Sequence, residues 1–455
     1  MIQIQEINKY FSKYITNTDT NDTNRKYFAE QFAQNGVPDH NNEMWQRFPW
    51  ENILANNYKV NQEPEKYRPV NEFFRCNIDN IESHLFAFLN GWYVHNNVPL
   101  TIFPSGVIVG SFRHAIMAYP QLIQPYIQRC KNQTHSSMFD LASAIYQDGF
   151  FVYIPDNIDF KQVIQMVNVV NTQNNLFINM KNMVIVGKNA SLKLIHCDDT
   201  IESGNTLINT ATEIFLEDGA RVDYYKLENK DAKSILINDS TIYQGADTHV
   251  NTYTNVFNGG IIHNSLNSHL LGQGGNINLN GLYLVDKKQE VTNCLSVNHH
   301  VSNCHSEQLY NGIMDDEAHS QFLGHIYVAP DAQKTEAYQT NHNILFSENS
   351  TAYTKPFLEI YADDVKCSHG ATIGQLNDEA IFYMRCRGIC ERNAKTLLLH
   401  AFTKEVVDKI TIDSLIDYTE NLVQRRLNGQ NITCNNCTQN CENRSINFEV
   451  QMPEL

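Results

Sequence analysis

The sequence predicts a mainly β protein built around a parallel β-helix, with a helical region before it and another after it. From Gly149 onward, short β-prone runs alternate with clusters of turn-forming residues that recur about every 13 to 17 residues, and recurrence at a short, fixed period is typical of a solenoid. The composition agrees, because 42% of the residues are apolar and only 18% are charged. Many of the remaining polar residues are Asn, which tolerates the left-handed backbone of tight turns.

Stacked coils explain this pattern better than a β-sandwich does. Each repeat holds one strand and one turn, which is too little to bury an apolar face, so the repeats must stack to form a common core. A sandwich can show similar spacing. However, well over a dozen strands without a hairpin dipeptide such as Asn-Gly at every other turn favour parallel stacking. Representative β-prone runs are MVIVG, LKLIH, EIFLE and FLGHIYVA.

The chain before the β-helix predicts a mainly helical domain over residues 1–143, because apolar residues recur there at helical spacing. An aromatic segment from Trp45 to Trp50 is interpreted as a hydrophobic clamp between helices. Small strands are expected between Phe73 and Val109, where apolar and polar residues alternate in places. The β-helix core is assigned to residues 144–374.

A C-terminal helical domain is predicted over residues 375–430. Asn377 and the two acidic residues after it place acceptors and negative charge at a helix N-terminus, and Gly388 is suited to ending that helix. Later apolar stripes are expected to cap the open end of the solenoid or to bind a partner. Residues 431–455 are polar and predict a flexible, Cys-containing tail.

Charge and targeting signals exclude several classes of protein. The net charge of −16 argues against a nucleic-acid partner, since phosphate neutralisation needs clustered Lys and Arg. The N-terminus lacks the apolar core of a signal peptide, and no segment approaches the roughly 20 apolar residues of a membrane span. Eleven cysteines without a secretion signal indicate free thiols. We therefore expect a cytoplasmic protein that contacts neither nucleic acid nor membrane.

One segment carries the clearest chemistry, LEIYADDVKCSHGATIGQL from Leu358 to Leu376. Cys367 and His369 are two residues apart, so on an extended strand their side chains point to the same face. A thiolate and an imidazole are reasonable ligands for iron. The segment therefore predicts a metal-competent pair where the β region meets the C-terminal helices.

This segment resembles the signature of the SufB/SufD family, the scaffold subunits of the SUF iron–sulfur cluster assembly machinery, and it is closer to the SufD side of that family. The matching residues are Lys355-Pro356, Leu358 through Thr372, Gly374, Asp378-Glu379, Phe382-Tyr383 and Arg387-Gly388-Ile389. The run is long with few gaps, which makes it far more specific than a lone Gly-rich loop.

The resemblance implies a right-handed parallel β-helix that acts as a non-catalytic scaffold. It implies pairing with the paralogue SufB through the ends of the two β-helices, and docking of the ABC-type ATPase SufC by helices over about residues 377–428. Cys367 and His369 would hold a transient iron or nascent cluster at the contact with SufB. A flavin in the complex, a homodimer of the isolated chain, and a SufB-like role in a homodimeric scaffold stay open. The chain is not itself the ATPase, because it contains no GxxxxGK[ST] loop.

Other groups of polar residues have weaker interpretations. The adjacent pairs Asp363-Asp364 and Asp315-Asp316 cannot act together on a strand, where neighbours point to opposite faces, so they are interpreted as turn or interface residues. The tail thiols form a CxxC with a third Cys but lack the fourth ligand of a structural zinc site, so metal binding and a redox role both stay open for them. These tail residues are Cys434, Cys437 and Cys441.

A group of His and Cys residues is clustered in the sequence, and adjacent coils would allow its members to approach one another, but satisfied polar residues in a turn are the favoured interpretation. The members are Cys294, His299, His300, Cys304 and His305. The alternative function is a cytosolic β-helix protein that binds or cleaves carbohydrate. That alternative needs paired acids and aromatic residues along one face of the solenoid, and the sequence offers no usable acid pair.

Overall fold

The computed structural model describes residues 4–15, 22–64, 69, 81–202 and 204–427. Its strands are β1 (Ser83–Leu89), β2 (Trp92–Tyr93), β3 (Leu100–Ile102), β4 (Ile108–Ser111), β5 (Phe150–Ile154), β6 (Asp159–Asn171), β7 (Leu176–Val186), β8 (Ser191–Glu202), β9 (Thr206–Leu216), β10 (Arg221–Asn229), β11 (Ser234–Gln244), β12 (His249–Asn258), β13 (Ile261–Leu270), β14 (Asn276–Val285), β15 (Glu290–His299), β16 (His305–Met314), β17 (His319–Val328), β18 (Glu336–Leu345), β19 (Thr351–Ile360) and β20 (Lys366–Gly374). Its α-helices are α1 (Ile4–Ile15), α2 (Thr23–Asn35), α3 (Trp50–Ala55), α4 (Phe112–Ala118), α5 (Pro120–Lys131), α6 (Ser137–Ile145), α7 (Asp378–Cys386), α8 (Glu391–Val407) and α9 (Asp413–Leu427), and one short 3-10 helix spans Glu43–Trp45.

The strands form two ten-stranded sheets that confirm the predicted parallel β-helix. One sheet, here sheet A, contains the odd-numbered strands from β3 to β19 together with β4, and the other, sheet B, contains the even-numbered strands from β6 to β20 together with β1 and β2. From β5 onward each strand pairs in parallel with the strand two positions later. Ile235, for example, pairs with Ile261, which lies 26 residues further along the chain. One coil therefore consists of two of the strand-and-turn repeats seen in the sequence.

The core lies between the two sheets, where inward-facing residues stack from coil to coil. One such column contains Val152, Val184, Ile214 and Ile242, which are at most 1% exposed. Burying one branched aliphatic side chain in this way stabilises the fold by roughly 1.5–3 kcal/mol. A shift of one residue along a strand would turn these side chains outward, so their burial fixes the same register in every coil.

Asn residues support this architecture in two ways. Asn157, Asn189 and Asn303 have φ values of 60°, 53° and 61° at the turns, a conformation that Asn adopts more readily than most residues. Inside the rod, Asn238 donates to the side-chain oxygen of Asn264 at 2.9 Å on the next coil. The N–H donor of this buried amide is thus paired with the amide of the next coil.

The N-terminal helices cover the outer face of sheet A. Helices α1, α2, α3 and α6 pack against the sheet around Phe177 and Ile235, and helices α4 and α5 pack further along it. The aromatic segment does act as a clamp, but between the helices and the sheet, because the Trp45 ring stacks on His263 of β13 with 3.8 Å between ring centroids. Strands β1 to β4 precede residue 144, and β1 pairs in parallel with β6.

The C-terminal helices cover the outer face of sheet B. Asn377 accepts hydrogen bonds from the backbone N–H groups of Glu379 and Ala380 at 2.9 and 3.1 Å, and Gly388, with φ of +86°, follows the end of α7, as predicted. Helices α8 and α9 then lie along strands β12 to β16 through an apolar contact. The expectation that these helices cap the open end is therefore wrong for α8 and α9, because their apolar stripes are already covered by the side of the rod.

In the part of the chain that the structure describes, no helix combines the length and apolarity that a transmembrane span requires.

Candidate functional site

The last coil of the β-helix ends in two long strands that have, within the described parts of the chain, a neighbour on one side only. Strand β19 pairs with β17, and strand β20 pairs with β18. They are ten and nine residues long, and most of their residues are exposed or half-buried, whereas the strands of the middle coils are buried almost throughout. An uncovered edge of this length presents unpaired N–H and C=O groups to any further strand.

Cys367 and His369 both lie on β20, so the predicted extended backbone is confirmed for this pair. Cys367 pairs with Ala337 and His369 pairs with Gln339, and these two partners are 0% and 1% exposed. Paired residues of parallel strands point to the same side of the sheet. The thiol and the imidazole therefore face the inner side of the coil, and they are accessible because the described chain stacks no further coil on them.

The two side chains differ in environment. Cys367 is half-buried and packs against a small apolar cluster that contains Val328 and Ala337, whereas His369 is exposed. Burial raises the pKa of the Cys367 thiol, and a hydrogen bond with the backbone of Ala337 opposes that shift only in part. The thiol is therefore protonated at neutral pH until a metal ion or a cationic neighbour displaces its proton.

The pair alone does not complete a metal site. Among the residues that the structure describes, no group of three or more His, Cys, Asp or Glu side chains is placed to hold a metal ion. Iron bound by cysteine and histidine needs about four ligands. Two or more ligands must therefore come from elsewhere, such as inorganic sulfide or a second chain.

A polar and aromatic group beside the open end was not found from the sequence. The His325 Nε2 atom lies 3.1 Å from the Glu359 carboxylate, which also accepts a hydrogen bond of 2.8 Å from the Tyr361 hydroxyl. The Phe357 ring lies 5.3 Å from the imidazole of His325. Phe357, Glu359 and Tyr361 lie in or beside the signature segment, but His325 comes from the preceding coil, and no local motif joins it to them.

The acidic pairs lie in turns, as interpreted. Asp363 and Asp364 are exposed in the bend between β19 and β20, where the Asp364 N–H donates to Gln333 at 2.8 Å. Asp315 and Asp316 occupy the turn after β16, and Asp316 has a φ of 52°. Strand alternation, the reason given for their independence, does not apply, because neither pair is on a strand.

The group of His and Cys residues between 294 and 305 does not assemble into one site. His299 is buried with its Nε2 atom 2.9 Å from the Ser306 hydroxyl, and burial lowers its pKa to about 3. The Nε2 atom of His300 instead lies 3.1 Å from His269 Nδ1, and the Cys304 thiol donates to a backbone carbonyl at 3.5 Å. His305 lies 4.0 Å from Glu336, and Cys294 is buried on β15. Residues Cys434, Cys437 and Cys441 lie outside the described residues.

Comparison with known families covers nearly all of the described chain. Residues 168–402 match the family model "SUF system FeS cluster assembly, SufBD core domain", and residues 6–166 match "SufBD protein N-terminal region". The core match includes the last coil, helix α7 and most of helix α8.

Individual relatives agree. The chain is 32% identical to the iron–sulfur cluster assembly protein SufD of Escherichia coli over 212 residues, which are 46% of this chain and only 50% of that protein. It is 26% identical to a SufBD family protein of Synechocystis, over 72% of this chain and 74% of that protein, and 22% identical to SufD of Bacillus subtilis, over 77% and 80%.

These matches leave the carbohydrate-binding alternative without support and agree with the closer resemblance to SufD. With the fold, the open last coil and both family models in agreement, the chain belongs to the SufB/SufD family of iron–sulfur cluster assembly proteins.

Proposed function

We propose that this chain is a non-catalytic, cytoplasmic scaffold subunit that holds iron or a nascent iron–sulfur cluster between its last coil and a second β-helix subunit, the paralogue SufB. The observation that supports this most directly is the pair of uncovered strands, β19 and β20, with an inward-facing thiol and imidazole on one of them. A further coil from another chain would bury both side chains and complete the core.

The apolar side chains of the last coil favour a protein partner. Tyr353, Phe357 and Ile373 are 43%, 51% and 45% exposed, and all three lie on the edge strands β19 and β20. Adding strands to both edges would satisfy the free backbone groups, bury Ile373 on the inner side of β20 and extend the outer face on which Tyr353 and Phe357 lie. Without SufB, a second copy of this chain would use the same edges.

The ligand chemistry suits a transient site. Cys367 and His369 supply one thiolate and one imidazole, and SufB with inorganic sulfide would supply the rest. Because half of the ligands leave when the subunits separate, a cluster built at the contact would be released when the contact opens. The iron and the cluster are the cargo of this scaffold.

Helices α7 and α8 support docking of the ATPase SufC. Phe382, Tyr383 and Leu397 are 69%, 58% and 51% exposed there, so these two helices offer large apolar side chains that a docked partner would cover. The Arg387 guanidinium lies 4.6 Å from the centre of the Tyr383 ring and adds a cationic element.

ATP-driven movement of two docked ATPases would reach the scaffold contact through a rigid connection. Helices α8 and α9 pack along several coils of sheet B, so a force applied to them acts on the whole rod. Such a rigid-body movement would open or strain the contact at the last coil.

Copurification with SufB and SufC, followed by iron–sulfur reconstitution, tests the proposal. The double variant Cys367→Ala, His369→Ala should form the complex normally but assemble and transfer clusters at least about tenfold more slowly. Cys197→Ala with His249→Ala, a half-buried thiol on β8 and an exposed imidazole on β12, both away from the last coil and from α7 and α8, is the matched control. Full cluster transfer by the first variant would remove the site, and failure to copurify with SufB would remove the role of the last coil.

A further inference from the structure

A cavity of about 430 Å³ lies at the opposite end of the β-helix, between the N-terminal helices and the first strands. This volume falls within the range of small-molecule sites. Its walls are Tyr14, Asp22, Arg25, Val60, Gln62, Trp92, Arg113, Ile116, Met117, Ile145, Tyr146 and Gln147. No part of the last coil contributes to it, so it is separate from the proposed cluster site.

The charge of this cavity is opposite to that of the chain. Its lining contains two guanidinium groups, from Arg25 and Arg113, and one carboxylate, from Asp22, in a protein whose net charge is −16. The Arg25 fork is already engaged, because it donates to the carbonyl of Tyr146 at 3.0 Å and lies 3.6 Å from Asp22. The positive charge of Arg25 is therefore held in a fixed position in the wall of the cavity.

Arg113 has hydrogen-bonding capacity to spare. Its side chain is exposed, and its hydrogen bond to the carbonyl of Gln147 is 3.5 Å long. The guanidinium lies 5.4 Å from the centre of the Trp92 ring. The planar Arg113 guanidinium thus lies beside the Trp92 indole, and most of its N–H donors have no partner among the described residues. Such a group is suited to binding a carboxylate or a phosphate.

The aromatic walls are fixed in position. The Trp92 indole N–H donates to the carbonyl of Asn61 at 3.0 Å, and the ring is 8% exposed. The Tyr146 ring lies 3.7 Å below the Arg25 guanidinium, and the Tyr14 hydroxyl donates to the carbonyl of Tyr58 at 2.7 Å. Rigid aromatic faces bind a flat apolar group at little cost in side-chain entropy.

A second, smaller cavity of about 20 Å³ adjoins the first and shares the walls Arg25, Ile116 and Tyr146. It is lined by the buried ion pair Lys181–Glu213, whose charged atoms are 2.7 Å apart. Among the described residues, the Ser143 hydroxyl has no hydrogen-bond partner. Such a volume holds about one water molecule, so a polar, hydratable chamber lies behind the larger cavity.

We propose that this cavity binds a small anionic ligand with a flat aromatic body, its phosphate or carboxylate on Arg113 and its ring against Trp92. The positive charge of Arg113 fits the anionic group of such a molecule, and the aromatic walls of the cavity fit its flat ring. The site is independent of the scaffold function, because its residues lie on the first coils and the N-terminal helices.

Calorimetric titration of the full chain with three probes tests this. Phenyl phosphate carries both halves of the ligand, inorganic phosphate carries only the anion, and phenol carries only the ring. Phenyl phosphate should bind at least about tenfold more tightly than either of the others, since the two contacts add. Equal binding of phenyl phosphate and phosphate would reduce the site to an adventitious ion only, and no binding would overturn it.

Two substitutions of Arg113 test whether its side chain contacts the anionic group of the ligand. Arg113→Gln should weaken phenyl phosphate about tenfold, while Arg113→Lys, which keeps the charge but loses the fork, should weaken it less. Arg221→Gln, an exposed arginine on β10 outside the cavity, is the control. Thermal melting should be unchanged in all three, because the structural contact at position 113 is made by the backbone N–H to Asp148. Wild-type affinity in Arg113→Gln would contradict the proposal.

Discussion

The two ends of the β-helix differ in the length and direction of their edge strands. At the first end, β2 and β3 are two and three residues long and pair antiparallel with β1 and β4. At the last end, β19 and β20 are ten and nine residues long and parallel to their neighbours. Short, antiparallel edge strands limit further pairing, whereas long, exposed ones invite it.

The surroundings of the two ends differ as well. The N-terminal helices cover the outer face of sheet A near the first coils, whereas at the last coil the N-terminal region makes a local contact, in which Glu43 accepts hydrogen bonds from Lys355 and Tyr353 of β19. The same repeat therefore gives a closed end and an open end, and the difference lies in what is packed around it. Only the open end carries the ligand pair.

The largest expected effect is a loss of affinity for SufB when a charge is placed on the last coil, and the same change at the first end is the control. Ile373→Asp, on the inner side of β20, should reduce affinity for SufB about 100-fold, roughly 3 kcal/mol, because a carboxylate would be buried without a partner. Ile102→Asp on β3 is the matched variant, since Ile102 is 59% exposed and Ile373 is 45% exposed. Calorimetric binding should show a loss for the first only, and an equal loss for both would remove the distinction between the ends.

The N-terminal region packs over His263 on sheet A, and this histidine should lower the stability of the protein at acidic pH. Burial lowers its pKa to about 3, so the stability it contributes is complete above the unfolded pKa of about 6.5 and is lost as pH falls towards 3. Between pH 8 and pH 5 this amounts to about 2 kcal/mol. His263→Phe should keep the stacking on Trp45 and remove that part of the loss.

Denaturant unfolding at the two pH values measures the effect. The control is His249→Phe on β12, where the side chain is exposed. An unchanged difference in unfolding free energy between pH 8 and pH 5 for His263→Phe would show that this histidine does not contribute to acid sensitivity.

Metal loading at the open end should also rise with pH. Burial raises the pKa of Cys367, and metal binding requires the thiolate, so affinity for ferrous iron in the assembled complex should rise up to about tenfold per pH unit through neutral pH. Cys367→Ser should flatten that dependence. Anaerobic titration with an iron chelator as competitor measures it, and an identical slope in the variant would exclude the thiol as a ligand.

The smallest effect concerns the fastening of the last coil. Glu43→Gln should loosen β19 locally, and amide hydrogen exchange over Thr351–Ile360 should increase a few-fold, because exposed ion pairs contribute little to global stability. Glu51→Gln, on the exposed side of α3, is the control. Unchanged exchange in β19 would mean that the strand is held by its pairing with β17 alone.

Local patterns account for much of what was predicted. Alternation over ten residues places Cys367 and His369 on one face, and turn-forming Asn and Gly residues divide the strands, since both depend on backbone geometry within a few residues. The N-terminus of α7 at Asn377 and its end near Gly388 follow from capping chemistry in the same way. None of these features needs a distant part of the chain.

The amino-acid sequence by itself determined the parallel β-helix, its helical flanks and the signature segment, because periodicity and capping act over neighbouring residues. Only the tertiary structure decided that two repeats make one coil, that helices α8 and α9 lie along the side of the rod, and that the thiol and imidazole stay accessible at an open end. It alone brought Arg25, Trp92 and Arg113 around one cavity. Contacts between residues far apart in the chain depend on how complete faces pack against each other, and that packing leaves no short-range signal in the sequence.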